Sequence, residues 1–215
     1  MKNKLPEMLT LDTRSSFEKA LAFSLADEKS KECTDRLLDR YGSLVTAFSE
    51  TPDELCRMCD IGMNQALLIK LIAYVNSRRV TDKFEFGKVH TELEMREYIG
   101  ALFLGASVES VYVILLDDKG RTVAVEHVND GVVNASDIVP RKILECAKKK
   151  KSTRVILAHN HPKGTSVPSK DDIVTTGRLY NMLAGVGVNL CAHYIAGDDD
   201  VRRIDTDVFY SVNEY

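Results

Sequence analysis

The run Ala158-His159-Asn160-His161-Pro162, followed by Ser169 and Asp172, carries the residue types and spacing that could do chemistry. Two histidines at i and i+2 leave an extended segment on the same side. Asp172 lies eleven residues after His161 and can swing back to it if a tight turn intervenes. Lys163-Gly164-Thr165-Ser166 and Pro168 supply that turn chemistry. Two neutral imidazoles and one carboxylate, with a fourth position left for water, form the ligand set of a catalytic zinc site. Calcium and magnesium prefer oxygen ligands, whereas imidazole suits zinc, iron, nickel or copper. A closed structural zinc site takes four protein ligands, usually with cysteine, and the cysteines nearest in sequence are Cys146 and Cys191. An open site is therefore expected, and with it a bound water of lowered pKa.

The same residues admit plainer readings. Ser169-Lys170-Asp171-Asp172 fits a capping box, with Ser169 at the helix start and Asp172 reaching back from the third helical position. Ile173, Leu179, Met182 and Leu183 follow at roughly helical spacing, and a capped helix needs no metal. His159 and His161 also fit as buried core histidines. The readings of Asp172 are compatible, because a first-turn carboxylate can face a metal while Ser169 holds the helix start.

His159, His161, Ser169 and Asp172 match His-x-His, seven residues, Ser, two residues, Asp, and so resemble the JAMM signature of the JAB/MPN metalloprotease fold. The wider string from Ile156 to Gly164, with Pro168-Ser169, resembles the bacterial RadC branch. Glu109 followed by Val111, Val113 and Leu115-Leu116-Asp117 resembles that family's strand after its acidic residue. Pro140-Arg141 resembles its Pro-Arg-Glu segment, with Lys142 in place of the Glu. His193-Tyr194-Ile195-Ala196-Gly197 resembles its Asp-His-x-x-x-Gly element, with Ala192 where the Asp is usual. The resemblance implies zinc on His159, His161 and Asp172, one ion per chain, and Glu109 as general acid/base. Glu126, which ends the apolar run Thr122–Val125, is the competitor for that role. A carboxylate beside a metal-activated water can take its proton and pass it to a leaving amine. Ser169 would then help hold the oxyanion of a tetrahedral intermediate. Asn160 is expected to point to the opposite face and to serve structure.

The rest of the chain bounds the reading. Its 215 residues allow one or two domains, and 44% hydrophobic and 28% charged residues are ordinary for a globular protein. No apolar run reaches the length of a membrane span. The start, Met1 to Pro6, has no apolar segment behind it, so a cytoplasmic protein is expected. Five dispersed cysteines suggest a reducing compartment. Cys56 and Cys59 form a Cys-x-x-Cys on an amphipathic helix without a second ligand pair, and they read as incidental.

Residues from about 13 to 79 read as helices. Within them, 55–66 resembles a helix-hairpin-helix turn, which would present helix-start N–H groups to a DNA phosphate. Asp60 stands where the first glycine is usual, and residues 1–80 hold twelve Lys/Arg against twelve Asp/Glu, so no basic excess attracts DNA. Residues 81–92 read as a linker. A helix over 93–104, a hairpin of strands 108–116 and 122–128 around Asp117-Asp118-Lys119-Gly120, and a helix over 138–150 follow. Lys148–Lys151 complement that helix's dipole. A strand over 154–158 ends at His159, and another over 188–196 carries His193 as a packed or supporting histidine. Asp198-Asp199-Asp200 reads as a turn with its charge in water.

The expected fold is mixed α/β: an MPN/JAB-type curved sheet flanked by helices over 93–215, after a small helical domain over 1–80. The expected function is zinc-dependent cleavage of a peptide or isopeptide amide. The alternatives are a DNA-associated repair accessory and a non-enzymatic module that keeps a metal for stability.

Overall fold

The computed structural model describes residues 13–131, 138–198 and 200–204. The chain divides into two compact units. One gathers the described residues up to Asp82 together with Ala101–Ser107; the other gathers Lys83–Gly100 and the chain from Val108 onward.

The first unit holds α1 (Thr13–Leu21), α2 (Asp27–Tyr41), α3 (Leu44–Phe48), α4 (Pro52–Cys59) and α5 (Met63–Thr81). Local chemistry sets their ends. Gly42 stops α2 at φ 72°, with its N–H on the Leu38 carbonyl. Thr51 caps α4 by accepting from the Glu54 N–H, and Pro52 opens the helix. Asp60 closes α4 in the left-handed region, at φ 51° and ψ 53°. That conformation explains why glycine is usual in such a hairpin and why Asp is a tolerated substitute. The Asp60 carboxylate accepts from Lys29 Nζ at 3.0 Å. Phe17, Leu21, Leu37, Phe48, Leu55 and Ile69 fill this unit's core, with Cys33 and Cys59 among them. All five cysteines are free. Lys70 donates to the carbonyls of Phe48, Glu50 and Gly105 at 2.5, 3.0 and 2.8 Å, closing off chain ends that helix bonding leaves open.

The second unit contains most of α6 (Glu92–Leu102), then β1 (Ser110–Leu116), β2 (Thr122–Asp130), α7 (Ile138–Lys150), β3 (Arg154–Asn160), α8 (Lys170–Ala184), β4 (Asn189–Ala196) and β5 (Val201–Ile204). Thr81 ends α5, and from Lys83 the chain belongs to this unit. Phe84 stacks on His90 and Tyr98 with ring centroids 3.9 and 3.8 Å apart. The sheet order is β2-β1-β3-β4-β5. Neighbours are antiparallel except β3 and β4, which are parallel and joined through α8. A parallel pair requires such a crossover, and the crossover brings the start of α8 back to the end of β3.

Alternation places Val111, Val113 and Leu115 with Val155, Leu157 and Leu190 on one face. There they form a core with Ile143 and Ala147 of α7 and Leu179 and Leu183 of α8. The other face meets the start of α6, where the Tyr194 hydroxyl donates to Glu92 at 2.6 Å. The fold is thus mixed α/β, an open five-stranded sheet flanked by helices, with a helical region before it in sequence. Among the described residues no single helix is long and apolar enough to cross a membrane.

Three expectations change. β5 is an additional strand, and β3 continues through His159 to Asn160. Asp200 does not leave its charge in water: both its oxygens accept from Arg96, at 2.7 and 2.8 Å, and one also accepts from the Val201 N–H. Asp199 lies outside the described residues.

Candidate metal centre

Three elements meet at the site. β3 delivers His159 on the face that holds Val155 and Leu157, so the imidazole enters among core side chains and is fully buried. His161 lies just past the strand, where its N–H bonds the Ala196 carbonyl of β4 at 2.8 Å. The turn that follows closes with the Gly164 N–H on the His161 carbonyl at 3.0 Å, with Lys163 at φ 58°. A Cβ at Gly164 would come within 3.2 Å of the His161 Cβ, so the absence of a side chain there lets the turn fold against the histidine. α8 then begins with a complete capping box. Ser169 Oγ accepts from the Asp172 N–H at 3.0 Å, and Asp172 Oδ2 accepts from the Ser169 N–H at 2.8 Å and its hydroxyl at 2.6 Å.

The capping carboxylate also faces the histidines. Asp172 Oδ1 lies 3.2 Å from His159 Nε2, Oδ2 lies 3.4 Å from His161 Nε2, and the two Nε2 atoms are 3.0 Å apart. The helix-cap and ligand-cluster readings of Asp172 thus hold together in one geometry. His161 donates Nδ1–H to the Thr165 carbonyl at 2.9 Å, because a carbonyl can only accept. The neutral His161 ring therefore turns a bare Nε2 toward the cluster.

The electrostatics follow from this crowding. Burial would raise the Asp172 pKa, but the imidazoles of His159 and His161 and the hydroxyl and N–H of Ser169 outweigh it. The carboxyl is held well below the usual carboxylate range. His161 is pushed up by its bond with Asp172, against burial, with help from the Thr165 carbonyl and the charges of Asp172 and Glu109. His193, fully enclosed, is pushed well down by burial and by the neighbouring His159.

A divalent metal fits this donor set. Ligand atoms of His159, His161 and Asp172 lie within 4.8 Å of one another. A tetrahedral ion with bonds near 2.0–2.1 Å sets its ligand atoms about 3.3 Å apart, close to the 3.0, 3.2 and 3.4 Å found here. Nitrogen lone pairs and a carboxylate converging on one point repel unless a cation or a shared proton lies between them.

Glu109 directly precedes β1, half-buried, and its charge reaches His161. Its backbone is clamped: Asn160 Oδ1 accepts from the Ser110 N–H at 2.8 Å, and Asn160 Nδ2 donates to the Val108 carbonyl at 3.1 Å. The structural work of Asn160 is thus to fix the residues on either side of Glu109. Glu126 instead forms an ion pair with Lys150 at the end of α7, 3.4 Å away. Sequence reasoning did not find Thr176. Its hydroxyl, fully buried, lies 2.7 Å from His193 Nδ1, and His193 Nε2 lies 2.7 Å from His159 Nδ1. The available signal was its position four residues after Asp172, on the same helical face.

The chain is 29% identical over 175 residues to a UPF0758 protein of Vibrio atlanticus, covering 79% of this chain and 76% of that one. It is 28% identical over 170 residues to a UPF0758 protein of Vibrio parahaemolyticus, covering 79% and 76%. A UPF0758 protein of Shewanella frigidimarina is 24% identical over 178 residues, covering 82% and 79%. The family model described as RadC-like JAB domain matches residues 89–206, more than half of the chain and the whole of the His-His-Asp cluster, and the chain belongs to that family.

Proposed function

We propose that this protein is a zinc-dependent hydrolase that cleaves a peptide or isopeptide amide. The observation that carries the reading is the convergence of two imidazole nitrogens and a carboxylate, 3.0 to 3.4 Å apart, with the charge of a half-buried glutamate on a clamped backbone reaching His161. His159, His161 and Asp172 are the residues that would hold the ion. When bound, zinc supplies Lewis acidity and lowers the pKa of a water ligand to about 7. His161 retains 23% side-chain exposure while His159 has none, so substrate reaches the cluster from the His161 side. Glu109 is the base that takes a proton from the attacking water and the acid that returns it to the leaving amine. Ser169 has one hydroxyl proton, donated here to Asp172 Oδ2. It can turn that proton toward a developing oxyanion while its backbone N–H, 2.8 Å from Oδ2, keeps the carboxylate in place.

The test is to incubate the full chain, loaded with zinc, with a mixed library of linear and isopeptide-linked peptides and to read cleavage by mass spectrometry. Wild type is expected to cut a subset. Glu109→Gln is expected to lose activity by about 100-fold or more, the usual size of a general acid–base contribution, while keeping its zinc. His161→Ala is expected to lose the zinc itself. Full activity in Glu109→Gln would remove that residue from its role, and a zinc-loaded wild type that cuts no amide would sink the hydrolase reading.

A further inference from the structure

The chain of side chains behind His159 has a direction, and the direction can be deduced. Thr176 Oγ1 lies 2.5 Å from the Asp172 carbonyl. Two oxygens that close need a proton between them, and a carbonyl has none, so the hydroxyl donates. With its one hydrogen committed, Thr176 Oγ1 can only accept from His193 Nδ1, 2.7 Å away. His193 is fully buried, which favours the neutral ring; with its proton on Nδ1, its Nε2 is bare. That bare nitrogen lies 2.7 Å from His159 Nδ1 and accepts its hydrogen. His159 is left with a lone pair on Nε2, the atom that faces His161 and Asp172.

We propose that Thr176 and His193 are positioning residues. They form a one-way relay of hydrogen bonds that fixes the tautomer and ring angle of His159 so that its Nε2 can take a metal. The proposal rests on the metal reading of the cluster. The relay runs from β3 through β4 to α8 and ends on the backbone of Asp172, the residue whose side chain is the third ligand. It therefore ties a strand ligand to the helix ligand without solvent between them. A ligating histidine ordinarily gives its second N–H to a carboxylate, a backbone carbonyl or water. Here the partner is a second imidazole, and an imidazole can reverse its polarity, so the relay needs the Thr176 hydroxyl to set its sense.

Thr176→Val tests this, because valine matches threonine in shape and has no hydroxyl. His193 then has no acceptor for Nδ1–H, its proton moves to Nε2, and His159 is forced to carry hydrogen on its own Nε2. Two readouts apply to the full chain. Nitrogen-15 shifts of the ring atoms in the zinc-free protein report the His159 tautomer, and competition against a fluorescent chelator reports zinc affinity. Wild type is expected to show a protonated Nδ1 and a bare Nε2 at His159. Thr176→Val is expected to reverse the two and weaken zinc binding by about 10- to 100-fold. Thr176→Ser, which keeps the hydroxyl, is expected to restore both.

A Thr176→Val protein with wild-type tautomer and affinity would overturn the proposal. So would failure of Thr176→Ser to restore them, since packing would then be the cause. If Thr176→Val does not fold, the wild-type ring shifts decide alone, and hydrogen on His159 Nε2 overturns the proposal. A wild type that shows the expected tautomer yet takes up no zinc leaves the relay standing and refutes the metal reading beneath it.

Discussion

His161 is the ligand whose protonation links the site to pH. It donates Nδ1–H to the Thr165 carbonyl and holds Nε2 3.4 Å from Asp172. Its pKa is raised chiefly by the bond with Asp172, against burial. A folded-state pKa raised above the unfolded value, about 6.5, has a definite sign in the metal-free protein. The contact's stability is fully present below about pH 6.5 and is lost as pH rises through the higher folded value. Metal binding runs the other way, because only the neutral ring offers Nε2, so each ion bound displaces the proton from any ring still protonated. Apparent zinc affinity should climb with pH by up to about tenfold per unit while His161 is protonated, and flatten above its folded pKa. Melting curves of the metal-free chain and zinc competition titrations over the same pH series check both slopes. His161→Asn should flatten the stability slope relative to wild type. A wild-type affinity independent of pH across that window would contradict the assignment.

Elements place residues that local patterns cannot. Asn160 sits at the end of β3, and its amide bonds the backbone on both sides of Glu109, fifty residues earlier for Ser110. Asn160→Ala removes two hydrogen bonds and leaves a buried N–H without a partner. Stability should fall by about 1–3 kcal/mol, read by urea denaturation. Zinc content should stay at the wild-type level, because no ligand atom belongs to Asn160. Peptide turnover should fall through kcat more than KM, since Glu109 loses its fixed backbone. A variant with unchanged denaturation midpoint would mean that the clamp carries no energy.

The same distinction between local and distant contacts explains what the sequence made legible. His159, His161 and Asp172 were readable because strand alternation and a capped helix start are short-range rules. The helices, the hairpin around Asp117 and the crossover were readable from periodicity and turn residues. β5 was not: Val201-Arg202-Arg203-Ile204 is four residues long, half arginine, and becomes a strand by pairing with β4. β3 looked shorter because its apolar run stops at Ala158, although its ladder continues to Asn160. Asp200 looked solvated because its partner, Arg96, lies 104 residues away in sequence. Thr176 looked like any polar helix residue, since its meaning depends on His193 from a neighbouring strand.

At the scale of the molecule, the apolar core leads us to expect that the fold forms without the metal. Val111, Val113, Leu115, Val155, Leu157, Leu179, Leu183 and Leu190 make an apolar core between sheet and helices. His159 is buried near the end of β3, His161 lies just past that strand, and Asp172 sits in the first turn of α8. A protein so built differs from a small zinc module, which unfolds when its ion is removed. Chelation should therefore leave the far-ultraviolet circular dichroism at 25 °C unchanged while lowering the thermal midpoint. The size of the shift follows from mass action. Free zinc at 100 times its Kd adds about 2.7 kcal/mol to the folded state, on the order of 5–10 °C for a domain of this size. Calorimetry with and without chelator, repeated at two zinc concentrations, measures it, and the midpoint should rise with the higher concentration. Loss of the helical and sheet signal on chelation would assign the ion a structural role, and an amide hydrolase built on an open site would then be the wrong account of this cluster.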